Sequence, residues 1–146
     1  MEKDTMPLKP ASADLSDAEF LTEFHACSLP PACFRHADHL RLAWLHLHQH
    51  PLNVAVDRVR NGIQAYAKHL RRTEFYHETI TVAWVRLIAS HTEPSFDEFL
   101  RLNEHRLNGE LLHRFWSPEL LNSDMARKEW VAPDRVELPT PIVDFA

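Results

Sequence analysis

Apolar residues recur three and four positions apart in several separate stretches of this chain, the period of a helix with one buried face. Phe20, Leu21 and Phe24 mark the first, over about 16–27. Leu40, Ala43, Trp44 and Leu47 mark the second, over about 36–49, and Val56, Val59, Ile63, Ala67 and Leu70 the third. Ile80, Ala83, Trp84, Leu87 and Ile88 predict a fourth helix over about 78–90, and Phe96, Phe99, Leu100 and Leu107 a fifth. Short helices follow to about Trp130.

Local signals bound these stretches. Ser16 with Glu19, and Ser95 with Glu98, have capping-box spacing, in which the serine accepts from a free amide and the glutamate reaches back. Ser117-Pro118 reads as a cap followed by proline at the first helical position. Pro30 and Pro31 end the first helix, and Pro51 stands at the start of the third. Residues 1–13 carry little apolar pattern and are expected to form a flexible arm. Residues 133–146 hold three prolines and are expected to run extended. The expectation is an all-α, single-domain antiparallel bundle of five to six helices over 14–132.

Composition sharpens this picture chiefly through glycine. Only two occur among 146 residues, Gly62 and Gly109. Dinucleotide fingerprints, phosphate-binding loops and nucleophile elbows all need glycine where backbone approaches phosphate or turns sharply, so none can be built here. Tight hairpins are disfavoured for the same reason. The net charge is −5, with the basic residues scattered, so the stripe that nucleic-acid binding requires is missing. No apolar run approaches the roughly 20 residues that cross a bilayer. A secretory signal pattern is not visible, and Cys27 and Cys33 lack zinc-site spacing and read as reduced thiols, so the cytoplasm is the expected compartment.

Histidine is the residue that raises a question of chemistry: eleven occur. On a helical wheel His36 falls within the stripe of Leu40, Ala43 and Leu47. His39 and His46 lie together on one edge, while Arg41 and His48 fall near the opposite edge and are expected to meet solvent. His36 and His39, three apart, can aim two imidazoles at one point. His77 extends the stripe of the fourth helix at its start, next to Glu78. Convergence of His36, His39 and His77 would supply ligands for one divalent ion, zinc or iron, with Glu78 or Asp38 as an oxygen ligand and Glu78 alternatively as general base. Tyr76, Thr81, Trp44 and Trp84 would then line a small-molecule site. Thr81 stands where a zincin carries its second histidine, so His77-Glu78 is not that motif. His25, His69, His91 and His105 read as surface or incidental positions.

The strings "FRHADHLRLAWLHL", "YHETIT" and "FWSPELLNSDMARKEWVAPD" resemble a family of small bacterial proteins of uncharacterised function, over roughly residues 34–134. The resemblance implies an all-helical fold and draws attention to His36, His39, His77 and Glu78; it implies no reaction. Three readings follow. One is a metal-dependent enzyme acting on a small molecule. The second is a non-enzymatic module whose histidines serve as hydrogen-bonding groups around a ligand. The third is an accessory protein that docks a partner through apolar faces.

Overall fold

The computed structural model describes residues 8–140. Within them every regular element is helical: α1 (Asp17–His25), α2 (His36–Leu47), α3 (Leu52–His69), α4 (Glu78–Ile88), α5 (Phe96–Asn103), α6 (Pro118–Leu121) and α7 (Asp124–Lys128), joined by short 3₁₀ turns. The fold is all-α. None of these helices is long and apolar enough to cross a membrane.

The caps form largely as their sequences dictate. Ser16 Oγ accepts from the Glu19 amide at 3.1 Å and Glu19 Oε1 from the Ser16 amide at 2.9 Å. Ser95 accepts from the Glu98 amide, but the Glu98 carboxylate turns to Arg101 at 2.6 Å instead of reaching back, so this box is only half made. Ser117 caps α6 with Pro118 in its first turn. α1 and α3 both end on a left-handed residue that is not glycine, Cys27 (φ 60°) and Arg71 (φ 59°). The next amide closes each helix end, Ser28 onto the Glu23 carbonyl and Arg72 onto that of Ala67.

α2, α3 and α4 pack against one another and form the centre of the fold. α2 departs from the one-sided pattern, since Ala37, Asp38 and every residue from Leu40 to His46 are buried. Its polar side is covered by residues 10–15. The Asp38 carboxylate accepts from the amides of Ala11 (3.1 Å), Ser12 (2.8 Å) and Arg35 (2.8 Å), and from the Ser12 hydroxyl. Arg41, expected in solvent, is buried there instead. Its guanidinium donates to the carbonyls of Ser12 and Leu15, both at 2.7 Å, and to Asp17 at 3.0 Å. The arm expected over 1–13 is therefore tied down at its end, with Ser12 buried; residues 1–7 lie outside the described part.

Residues 129–140 carry no helix and lie along the body. Thr79, fully buried on α4, donates its hydroxyl to the Glu129 carbonyl (2.9 Å) and accepts from the Val131 amide (3.2 Å). Trp116, also fully buried, donates its indole N–H to the Val131 carbonyl. Asp134 accepts from the Ser117 amide and hydroxyl, both at 2.7 Å. Of the tail expected to be extended, residues 141–146 lie outside the described part.

Gly62 explains its own identity. A β-carbon there would stand 2.8 Å from Phe24 Cε2 and 3.0 Å from His25 Cε1, so α3 approaches α1 too closely for any side chain. Phe24 is fully buried and cannot swing aside. Gly62→Ala is expected to cost about 1–3 kcal/mol by overpacking, despite the better helix propensity of alanine. Urea denaturation would measure it, and a stabilised variant would contradict the packing described.

Candidate functional site

α2 begins at His36 and α4 is capped by His77, and this places the two helix starts on the walls of one cleft of about 380 Å³. Val59 and Ile63 of α3 line it from a third side, and Phe75 and Tyr76 stand on the turn that leads into α4. Six of the eight residues singled out from sequence meet here: His36, His39, Tyr76, His77, Thr81 and Trp84. Ala43, Ile80 and Val85 complete the lining. None of these side chains is a lysine, arginine, aspartate or glutamate.

Two expected residues do not reach the cleft. Trp44 lies on the other side of α2, packed against Phe99 (ring centroids 5.2 Å apart), Phe96 and His48. It shares a stripe with Leu40 and Leu47, but α2 is buried all round, so one stripe faces more than one neighbour. Glu78 points to α3. One oxygen accepts from Arg60 Nε at 2.8 Å and the other from the Tyr76 hydroxyl at 2.6 Å. Held by a cation and a hydroxyl, it is not a free general base, contrary to expectation. Burial, with the bond to Glu78, pushes the Tyr76 hydroxyl above its ordinary range.

The histidines differ sharply. His77 is the N-cap of α4: its Nδ1 accepts from the Ile80 amide at 3.1 Å. The Nε2–H therefore donates to the Leu121 carbonyl, 2.8 Å away. Both nitrogens are engaged with backbone, and burial lowers the pKa, so the ring is a neutral structural clamp between α4 and α6. His36 Nε2 donates to the Leu107 carbonyl at 2.8 Å, and its ring meets Trp84 edge-on at 5.2 Å. His39 stacks on Phe34 at 4.0 Å and has no hydrogen-bond partner among the described residues. Burial, with His36 beside it, lowers its pKa to about 4 despite the opposing charge of Asp38. At neutral pH it is an uncharged imidazole at the cleft.

This donor set does not fit the expected ion. His77 has no lone pair to offer, and His36 spends one nitrogen on a carbonyl. Among the described residues no three histidine, cysteine, aspartate or glutamate side chains are grouped to hold a metal. The His36, His39 and His77 rings share a cleft without sharing a focus.

No family model, curated protein or solved structure matches this chain.

Sequence reasoning missed several polar residues with defined partners. His25 is exposed, as expected of a surface position, but its Nε2 also lies 3.0 Å from Nε2 of His46. His91, expected there too, pairs with Glu93 at 3.3 Å. His46 lies at the edge of the α2 stripe and Glu93 in the connection after α4, and a helical wheel predicts neither pairing.

Proposed function

We propose that the protein is a small-molecule-binding module whose site is the cleft between α2, α3 and α4, and that its ligand is uncharged and largely apolar. The observation that carries this reading is the lining: aromatic and aliphatic walls with a few uncharged polar groups, and no formal charge. Pockets of this kind bind through buried apolar area and take their specificity from a small number of polar groups. Trp84 and Phe75 supply flat aromatic surface, and Phe75 stands 68% exposed at the edge of the cleft, where a ligand would cover it. Neutral His39 and the Thr81 hydroxyl are the hydrogen-bonding groups a ligand would meet. A charged ligand would find no counter-charge and would lose its hydration.

On this reading His36 and His77 shape the cleft and do not act in chemistry. Free thiols at Cys27 and Cys33 accord with a reducing compartment, and we place the module in the cytoplasm.

The test is a set of variants read against a library of uncharged cyclic and aromatic fragments. Ile63→Trp, which fills the cleft, is expected to weaken every cleft binder by more than about tenfold, or about 1.4 kcal/mol. His39→Phe keeps the ring on Phe34 and should weaken only ligands that hydrogen-bond to imidazole. Binders indifferent to both substitutions would refute the assignment of this cleft.

A further inference from the structure

Glu78 does not line the cleft, but it fixes the polarity of a group that does. The Tyr76 hydroxyl donates to Glu78 Oε1 at 2.6 Å, and Arg60 Nε donates to the other carboxylate oxygen at 2.8 Å. Glu78 is buried, and an ionised carboxylate can only accept. The single Tyr76 proton is therefore spent away from the cleft, and its oxygen keeps lone pairs with no proton to offer. Burial, with the bond to Glu78, raises the Tyr76 pKa, so the proton stays on the phenol through neutral and mildly alkaline pH.

Tyr76 lines the cleft, and the hydroxyl of Thr81, another wall residue, stands beside its oxygen. A Thr81 hydroxyl bonded to that oxygen must be the donor, because the phenol has no second proton. The Thr81 oxygen is then also left to accept. His39 imposes no such choice, since its neutral ring carries one N–H and one lone pair.

We infer that Glu78, acting through Tyr76, makes the cleft select ligands that donate a hydrogen bond: alcohols and phenols in preference to ketones and ethers of the same shape. This selectivity presupposes the ligand site proposed for the cleft and adds the polarity of its Tyr76 wall. A ketone there sets lone pair against lone pair and leaves the phenol oxygen without a donor, whereas an alcohol supplies one. The alcohol's own oxygen can still accept from His39. Glu78 touches no ligand and is a positioning residue.

The experiment compares cyclohexanol with cyclohexanone, and indanol with indanone, by nuclear magnetic resonance titration of the full chain. Binding is scored where the Trp84, His39 and Thr81 signals move. The wild-type protein is expected to bind each alcohol about threefold to tenfold more tightly than its ketone, the worth of one hydrogen bond. Glu78→Gln is expected to invert that order. Arg60 only donates, so the new amide oxygen must face it and the amide NH2 faces Tyr76, which accepts there and turns its proton to the cleft. A residue that merely supported the fold would weaken both ligands together. Tyr76→Phe removes the oxygen and should bring alcohol and ketone to within about twofold of each other.

Equal binding of alcohol and ketone by the wild type, or the wild-type order kept in folded Glu78→Gln or in Tyr76→Phe, would overturn the selectivity and leave the cleft a ligand site. Failure of all four fragments to move the three signals would overturn the cleft assignment and the selectivity with it.

Discussion

Asp38→Ala is expected to destabilise the protein by about 3–5 kcal/mol, the cost typical of breaking a buried charged network from one side. The carboxylate is fully buried, and four donors converge on it, from Ala11, the Ser12 amide and hydroxyl, and Arg35. Each buried donor left without an acceptor costs about 1–3 kcal/mol unless water reaches it. Water enters only if residues 10–15 leave α2, and this strips buried Arg41 of its bonds to Ser12 and Leu15. The loss should appear in urea denaturation, with faster hydrogen exchange at the Ala11 and Ser12 amides. Asp17→Ala is the contrasting case. It removes an ion pair to the same arginine, but the Asp17 side chain is 67% exposed, so the cost should stay below about 1 kcal/mol. Equal costs for the two variants would contradict the network.

The second large effect is loss of stability in mild acid. His39 and His46 have pKa values lowered to about 4 by burial, against an ordinary 6.5. Below pH 6.5 the unfolded chain takes up protons at these positions while the folded chain does not. The unfolded state thus binds more protons, stability rises with pH, and it falls as the solution is acidified from 6.5 toward 4. Between pH 7 and pH 5 buried His46 is expected to withdraw up to about 2 kcal/mol, and half-buried His39, which lines the cleft, less. His77, His25 and their lowered values act in the same direction. Denaturation midpoints across this range would measure the slope. His46→Gln should flatten it, because glutamine cannot titrate, and a slope unchanged in both His46→Gln and His39→Phe would contradict these assignments.

How much of this was legible in the sequence follows from what periodicity encodes. The spacing of Ile80, Trp84 and Leu87, with the serine caps, locates helices because both signals are local. His36, His39, His77, Thr81 and Trp84 could be gathered into one site because each lies on or beside a stripe, and stripes face the interior. What these residues do there was not local. His77 spends its nitrogens on the Ile80 amide and the carbonyl of Leu121, 44 residues away. Glu78 is neutralised by Arg60 on the preceding helix, and a pairing across 18 residues leaves no periodic trace. Arg41 sits off the stripe of α2, where a wheel assigns solvent, and Asp38, an expected oxygen ligand, instead accepts from the amides of Ala11, Ser12 and Arg35. They are buried because residues 10–15, which lack any apolar rhythm, supply hydrogen bonds in place of apolar cover. Trp44 misled for the converse reason, since a helix enclosed on all sides has no single inward face.

The cleft itself is the central claim, and the most direct measurement is a nuclear magnetic resonance screen of uncharged aromatic and cyclic fragments against the full chain. The strongest binders are expected to shift the Trp84 indole, the His39 imidazole and the Thr81 amide together, with saturation at one equivalent. Matched fragments bearing a carboxylate or an ammonium group should bind more weakly at the same place. A screen in which charged fragments bind this cleft best, or in which no fragment perturbs those three residues, would contradict it.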